Sequence, residues 1–183
     1  MKISFLPATL LLVFFSSCQK NDDLIIQVRN VSFQTASTEN EFHAAIPTTD
    51  SISAPHFILN VNWDIERTND ADYDPVETAV INENPVDSIK IWSDQSIAGR
   101  SPGSSLNTLF TQYYSFNVAA KPLTENGGLI YFSMFNSFDE PLRKVSFLQP
   151  TVQIESGTYD FYFRCVLRDG TVISNSLTHI LIK

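Results

Sequence analysis

Residues 56–66 read His56-Phe57-Ile58-Leu59-Asn60-Val61-Asn62-Trp63-Asp64-Ile65-Glu66, and the alternation within this stretch decides the fold class. Phe57, Leu59, Val61, Trp63 and Ile65 fall on one face of an extended chain, because successive side chains point to opposite sides. Asn60, Asn62, Asp64 and Glu66 fall on the other. A strand with one dry and one wet side belongs to an antiparallel sheet that packs a single face onto a core.

The same signal recurs on both sides of that strand. Leu24 to Gln34 reads as an opening strand through Ile26 and Val28, with a register change before Phe33. Asp87 to Ser93 sets Ile89 and Ile91 against Lys90 and Trp92. Tyr114, Phe116 and Val118 alternate, Leu129 to Phe135 is a further aromatic-rich run, and Lys144 to Gln149 is a short strand closed by Pro150. Near the end of the chain, Tyr159 to Arg168 and Thr171 to Ile182 flank Asp169-Gly170. That pair predicts a two-residue type I′ hairpin turn, which needs positive φ at both central positions. Helix signals are weak: Ser104 to Phe110 offers one or two turns, with Leu106, Leu109 and Phe110 facing inward. Thr35–Pro55 and Arg67–Pro85 lack periodicity, carry prolines and read as long loops. Seven to eight strands with almost no helix predict an all-β sandwich or barrel, antiparallel, with long loops.

Glu155-Ser156-Gly157-Thr158-Tyr159 favours the sandwich. It resembles the entry to the penultimate strand of immunoglobulin-like and fibronectin-like domains, where a tyrosine bonds back to the backbone across a corner. The resemblance covers residues 155–182 and extends to the wider sandwich class only. Cys165 lies six residues after Tyr159, not two, and has no partner in an earlier strand.

The beginning of the chain is an address. Lys2 supplies a positive end, Ile3 to Phe15 is apolar, and the small residues Ser16 and Ser17 lead to Cys18. This is the pattern of a secretory signal peptide. It is too short to cross a bilayer, which takes about 20 apolar residues. Phe15-Ser16-Ser17-Cys18 resembles the lipobox of bacterial lipoproteins, with Phe15 where leucine is usual. The resemblance implies removal of residues 1–17 and a lipidated Cys18 as the first mature residue. Two or more acyl chains would hold the protein firmly to a membrane. Gln19-Lys20-Asn21-Asp22-Asp23 resembles the short Lys-plus-acid export tag of surface lipoproteins in bacteria of the Bacteroides group. It implies that Lys20, Asp22 and Asp23, within a tether of residues 18–23, direct the protein to the outer face of the outer membrane. Residues 24–183 then form one domain.

Removing residues 1–17 from 183 leaves 166, a size that suits a single core with no metal or disulfide staple. Cys165 is expected to remain unpaired once Cys18 is lipidated. The chain carries 12 Lys and Arg against 20 Asp and Glu, a net charge of −8. That balance disfavours nucleic acid, whose phosphates call for clustered cations. Fourteen phenylalanines and six tyrosines are material for a core rather than a disordered tail.

Little in the sequence points to catalysis. His43, His56 and His179 are scattered, and none has the spacing that sets two imidazoles on one helical face for zinc. There is no G-x-S-x-G elbow and no glycine-rich phosphate loop. No cofactor is expected. Asp70-Ala71-Asp72-Tyr73-Asp74 gathers alternating carboxylates, a weak calcium candidate in Asp70, Asp72 and Asp74, but Pro75 and Ile81 stand where an EF-hand needs glycine and glutamate. Trp92 and Tyr113-Tyr114 are the candidate aromatic platform on which a sugar would stack; their alternation with predicted core positions favours packing instead. Asp50-Ser51-Ile52 and Asp87-Ser88-Ile89 match a short O-glycosylation acceptor pattern of Bacteroides-group exported proteins.

The sequence as a whole resembles the small surface lipoproteins of that group. The expectation is a non-enzymatic binding or adhesion module for a glycan or protein, anchored in the outer membrane through Cys18 and exposed at the cell surface. Its rival is a periplasm-facing structural subunit of an envelope complex.

Overall fold

The structure, a computed structural model, describes residues 24–39, 45–46, 50–69, 80–113, 121–123 and 144–183. Eleven strands lie among them: β1 (Leu24–Ser37), β2 (Ala45–Ile46), β3 (Ser51–Ile52), β4 (Phe57–Arg67), β5 (Val80–Asn84), β6 (Val86–Ser93), β7 (Phe110–Tyr113), β8 (Lys121–Pro122), β9 (Lys144–Pro150), β10 (Gly157–Leu167) and β11 (Val172–Ile182). Helix among the described residues is limited to two 3-10 turns, Ala54–His56 and Asn107–Leu109.

The strands form two sheets. The larger runs β2-β1-β4-β9-β7-β8, with β5 also on β1; the smaller runs β3-β11-β10-β6. The long pairs are antiparallel, but β5 joins β1 and β3 joins β11 in parallel, so both sheets are mixed rather than purely antiparallel. Three short strands also fall in the stretches expected to be loops: β2 and β3 in 35–55, and β5 in 67–85. Two-residue strands are too short to show a period, which is why the sequence conceals β2 and β3. The expected strands at 114–118 and 129–135 lie outside the described residues.

The inner faces of the two sheets share one hydrophobic core. From the larger sheet come Val31, Phe33, Phe57, Leu59, Val61, Trp63, Ile65 and Leu148; from the smaller, Ile89, Ile91, Phe161, Phe163, Cys165 and Ile180. Aromatic rings join the layers. Phe33 meets Phe163 at 5.5 Å between centroids, Phe57 stacks on Phe161 at 5.4 Å, and Trp63 meets Phe163 edge-on at 6.2 Å. Rings that large bury enough apolar area to dominate the cohesion of the layers. The predicted dry face of β4 is therefore the core face. Its predicted wet face is only partly wet: Asn60 is buried, and Ile58 joins Ala36 and Phe147 in a second small cluster on the far side of the larger sheet.

Three local features depart from expectation or refine it. The register change in β1 falls between Val28 and Asn30, where it lets both Val28 and Val31 point inward. The 3-10 turn at Asn107–Leu109 is shorter than the predicted helix, but Leu106 and Phe110 are buried as expected. The hairpin turn is not type I′. Gly170 has φ +89° and Asp169 does not take positive φ. Leu167 O accepts Gly170 N–H at 2.9 Å, and Leu167 N–H donates to Thr171 O at 2.8 Å. This is the three-residue loop that ends on a left-handed glycine. Asp169 prefers it because its carboxylate accepts the Thr171 N–H at 2.8 Å, a bond that holds its carboxyl below the ordinary range.

Both long edges of the smaller sheet are partly occupied. Along β6, Leu106 N–H donates to Ile91 O, and the buried Asn107 amide acts as a substitute strand: it accepts Ile91 N–H at 2.9 Å and donates to Ile89 O at 2.7 Å. Along β11, Asn175 accepts Ser176 N–H at 2.9 Å and donates to Val31 O of β1 at 3.2 Å. Side chains that consume edge groups in this way deny a template to a foreign strand.

Candidate functional site

The outward face of the smaller sheet carries the most concentrated chemistry among the described residues. On β6, burial of Ile89, Ile91 and Ser93 turns Lys90 and Trp92 outward; on β10, burial of Phe161, Phe163 and Cys165 turns Asp160, Tyr162 and Arg164 outward. Registration then builds rows across the strands. Trp92 faces Tyr162, and Tyr162 faces Ser176 of β11; Lys90 faces Arg164, and Arg164 faces Ser174.

The aromatic row is ordered by contact. Trp92 and Tyr162 stack at 5.4 Å between centroids and 14° between planes, and the Lys90 ammonium lies 5.2 Å from the Trp92 centroid. Cross-strand aromatic pairs and a cation over an indole each add stabilisation of roughly 0.5 to 1 kcal/mol. Tyr162 also donates its hydroxyl to Asp94 Oδ2 at 2.6 Å, and this bond raises the pKa of the phenol. Trp92 is half-buried, but it is not part of the core. Trp92 packs on the outward face, against Tyr162 and Lys90, while its neighbours Ile91 and Ser93 are the inward residues.

A polar row follows at the end of the sheet. Asp160 N–H donates to Gln95 Oε1 at 2.9 Å, and Asp160 Oδ1 accepts the backbone N–H of His179 at 2.7 Å. His179 sits in a bulge, where two residues of β11 oppose the single Asp160, and it takes φ +61°. His56 lies elsewhere, with Nδ1 2.9 Å from Thr38 Oγ1 and Nε2 3.5 Å from Glu39 Oε1. The two described histidines are therefore held by local bonds and do not converge.

The remaining sequence candidates separate. Cys18, Lys20, Asp22 and Asp23 lie outside the described residues, as do His43, Asp70, Asp72, Asp74 and Tyr114. Tyr113 ends β7, in the other sheet from Trp92, so the two do not share a strand row. Among the described residues no group of three His, Cys, Asp or Glu could hold a metal ion, and no helix is long and apolar enough to cross a membrane. Cys165 is a free, buried thiol. Ser51 is exposed and Ser88 half-buried, which leaves the first acceptor pattern the more accessible. Lys90, Asp94, Tyr162 and Arg164 escaped sequence reasoning. The alternation of β10 sets Tyr162 and Arg164 outward, but only the long-range pairing of β6 with β10 brings them beside Trp92.

Compared with known proteins, the chain matches no protein family, no curated protein and no solved structure.

Proposed function

We propose that this chain is a lipid-anchored, immunoglobulin-like β-sandwich that acts as a non-catalytic carbohydrate-binding module. Strand order supports the architecture. Leaving aside β2, β3, β5 and β8, which add to the outer strands β1, β11 and β7, the sheets read β1-β4-β9-β7 and β11-β10-β6. In chain order these are the first, second, fifth and fourth strands against the seventh, sixth and third, the arrangement of seven-stranded immunoglobulin domains. The tyrosine corner supports it too: Tyr159, at the start of the sixth of these seven strands, donates its hydroxyl to Glu155 O at 2.9 Å.

The observation that carries the binding reading is the Trp92–Tyr162 stack on the outward sheet face. Aromatic side chains on a rigid sheet, bordered by Lys90, Asp94 and Arg164, supply the apolar faces and hydrogen-bonding groups that a sugar ring uses. Anchoring through Cys18, and surface export through Lys20, Asp22 and Asp23, rest on the resemblance of residues 15–23 to lipoprotein signals. The rival envelope-subunit reading, in its strand-addition form, finds less support at the smaller sheet, whose long edges are partly capped by Asn107 and Asn175.

Three experiments test the proposal. Trp92→Ala should abolish retention on immobilised oligosaccharides while leaving the melting temperature within a few degrees of wild type; wild-type protein that binds no oligosaccharide in a broad panel refutes the module. Cys18→Ser should release the protein from membranes. In protease shaving of intact cells, the wild type should be degraded and the Lys20→Ala, Asp22→Ala, Asp23→Ala triple variant protected. Protection of both proteins would remove the surface assignment.

A further inference from the structure

We propose that the sugar taken by this face is acidic, with its anionic group held by Arg164 and Lys90 and its ring against Tyr162. The inference rests on the carbohydrate reading above and names the class of ligand.

Arg164 and Lys90 are directly registered across β10 and β6, and both are exposed on the outward face. Like charges placed directly opposite one another destabilise a sheet. Among the described residues neither is within ion-pair distance of a carboxylate, although acidic residues outnumber basic ones 20 to 12 in the chain. Lys90 is partly accounted for by its bond to Gly103 O at 3.0 Å and by its place over Trp92. Arg164 has no such local role among the described residues. A planar guanidinium beside an aromatic stack is suited to take a carboxylate or sulfate with two parallel hydrogen bonds.

The geometry also orients the ligand. One face of the Tyr162 ring rests on Trp92. The neighbour on its other side is Ser176, a small and exposed residue, with Ser174 beside Arg164. On the β11 side, then, Tyr162 and Arg164 are registered with small, exposed serines and with no large side chain. Charge is graded along the face, from Arg164 and Lys90 at one end, past Tyr162, to Asp160 and Asp94 at the other. A sugar stacked on Tyr162 must direct its anionic group toward Arg164, since the opposite end would repel it. Asp94 and Asp160 are then the acceptors for neutral hydroxyls.

The test uses the full chain, extracted in mild detergent, against a panel of uronate, sialic-acid-terminated and sulfated oligosaccharides and the carboxyl-reduced neutral counterparts. The expected result is at least tenfold tighter binding of an acidic oligosaccharide than of its neutral counterpart, weakened by added salt. Arg164→Gln should remove that preference without lowering the melting temperature, and Tyr162→Ala should remove binding of both. The uronate and sulfate arms separate the two anionic groups. Equal binding of acidic and neutral forms would overturn the acidic-sugar inference and leave the carbohydrate module standing; binding of no member of the panel would overturn both. An unchanged preference in Arg164→Gln would also overturn it.

Discussion

Trp63 donates its indole N–H to Ser146 Oγ at 2.9 Å, across the β4–β9 pair and inside the core. Gln112 of β7 donates to the same oxygen at 3.0 Å, so one hydroxyl satisfies two buried donors from two neighbouring strands. The polar atoms that a large indole and an amide bring into an apolar layer are thereby matched where they sit.

Ser146→Ala should consequently cost more than an ordinary hydrogen bond. It leaves two donors buried without their acceptor, at about 1 to 3 kcal/mol each, and part of that is recovered by relaxation. We expect a loss of about 2 to 4 kcal/mol in urea unfolding. A loss below about 0.5 kcal/mol would show that the bonds are readily replaced.

The corner at Tyr159 has a backbone requirement as well as a hydroxyl. A Cβ on Gly157 would stand 3.2 Å from Tyr159 Cε2, and the ring is tied by its bond to Glu155 O. Tyr159→Phe should therefore lower stability by about 1 kcal/mol, and Gly157→Ala should destabilise the wild type more than it does the Tyr159→Phe variant, whose ring is free to move aside. A double-mutant cycle measured by thermal unfolding reads this coupling.

His179 holds a left-handed conformation at φ +61°, which costs an L residue roughly 1 to 2 kcal/mol. His179→Gly should raise stability by about 1 kcal/mol, and His179→Val should lower it, because a branched Cβ fits that region worst. Equal stability of the two variants would mean that the bulge relaxes when the residue changes.

Burial drives the pKa of Cys165 from 9.0 up to about 11, with desolvation as the main cause. The unfolded thiol ionises first as pH rises, so the native state binds the proton more tightly and is favoured below pH 9. That contribution should fade between about pH 9 and 11 and be absent from Cys165→Ala, as chemical unfolding at several pH values would show. In the native protein at neutral pH the thiol should resist alkylation, and a fast reaction would place it within reach of solvent.

The sequence reveals faces better than neighbours. Phe57, Leu59, Val61, Trp63 and Ile65 all point into the core as their alternation requires. Ile58 and Asn60 are buried on the opposite side, because Ala36 and Phe147 from adjoining strands meet there, and no local period encodes that meeting. The site divides in the same way. Trp92 was visible as a candidate, whereas Tyr162 and Arg164 join it only through the register of β6 with β10, two strands far apart in the chain. The hairpin turn illustrates a third limit. Asp169-Gly170 marks its position, but the bond from the Thr171 backbone N–H to the Asp169 carboxylate selects the longer loop.

The long ladder of β1 has a mechanical meaning. Its eleven registered pairs with β4 run antiparallel along nearly the whole strand, and four parallel pairs with β5 grip its first residues from the other side. Tension applied at Leu24 along the strand axis loads these bonds in shear, together, rather than peeling them one after another. Were the domain held through that end, as proposed, a pull on it would meet the longest strand pair in shear.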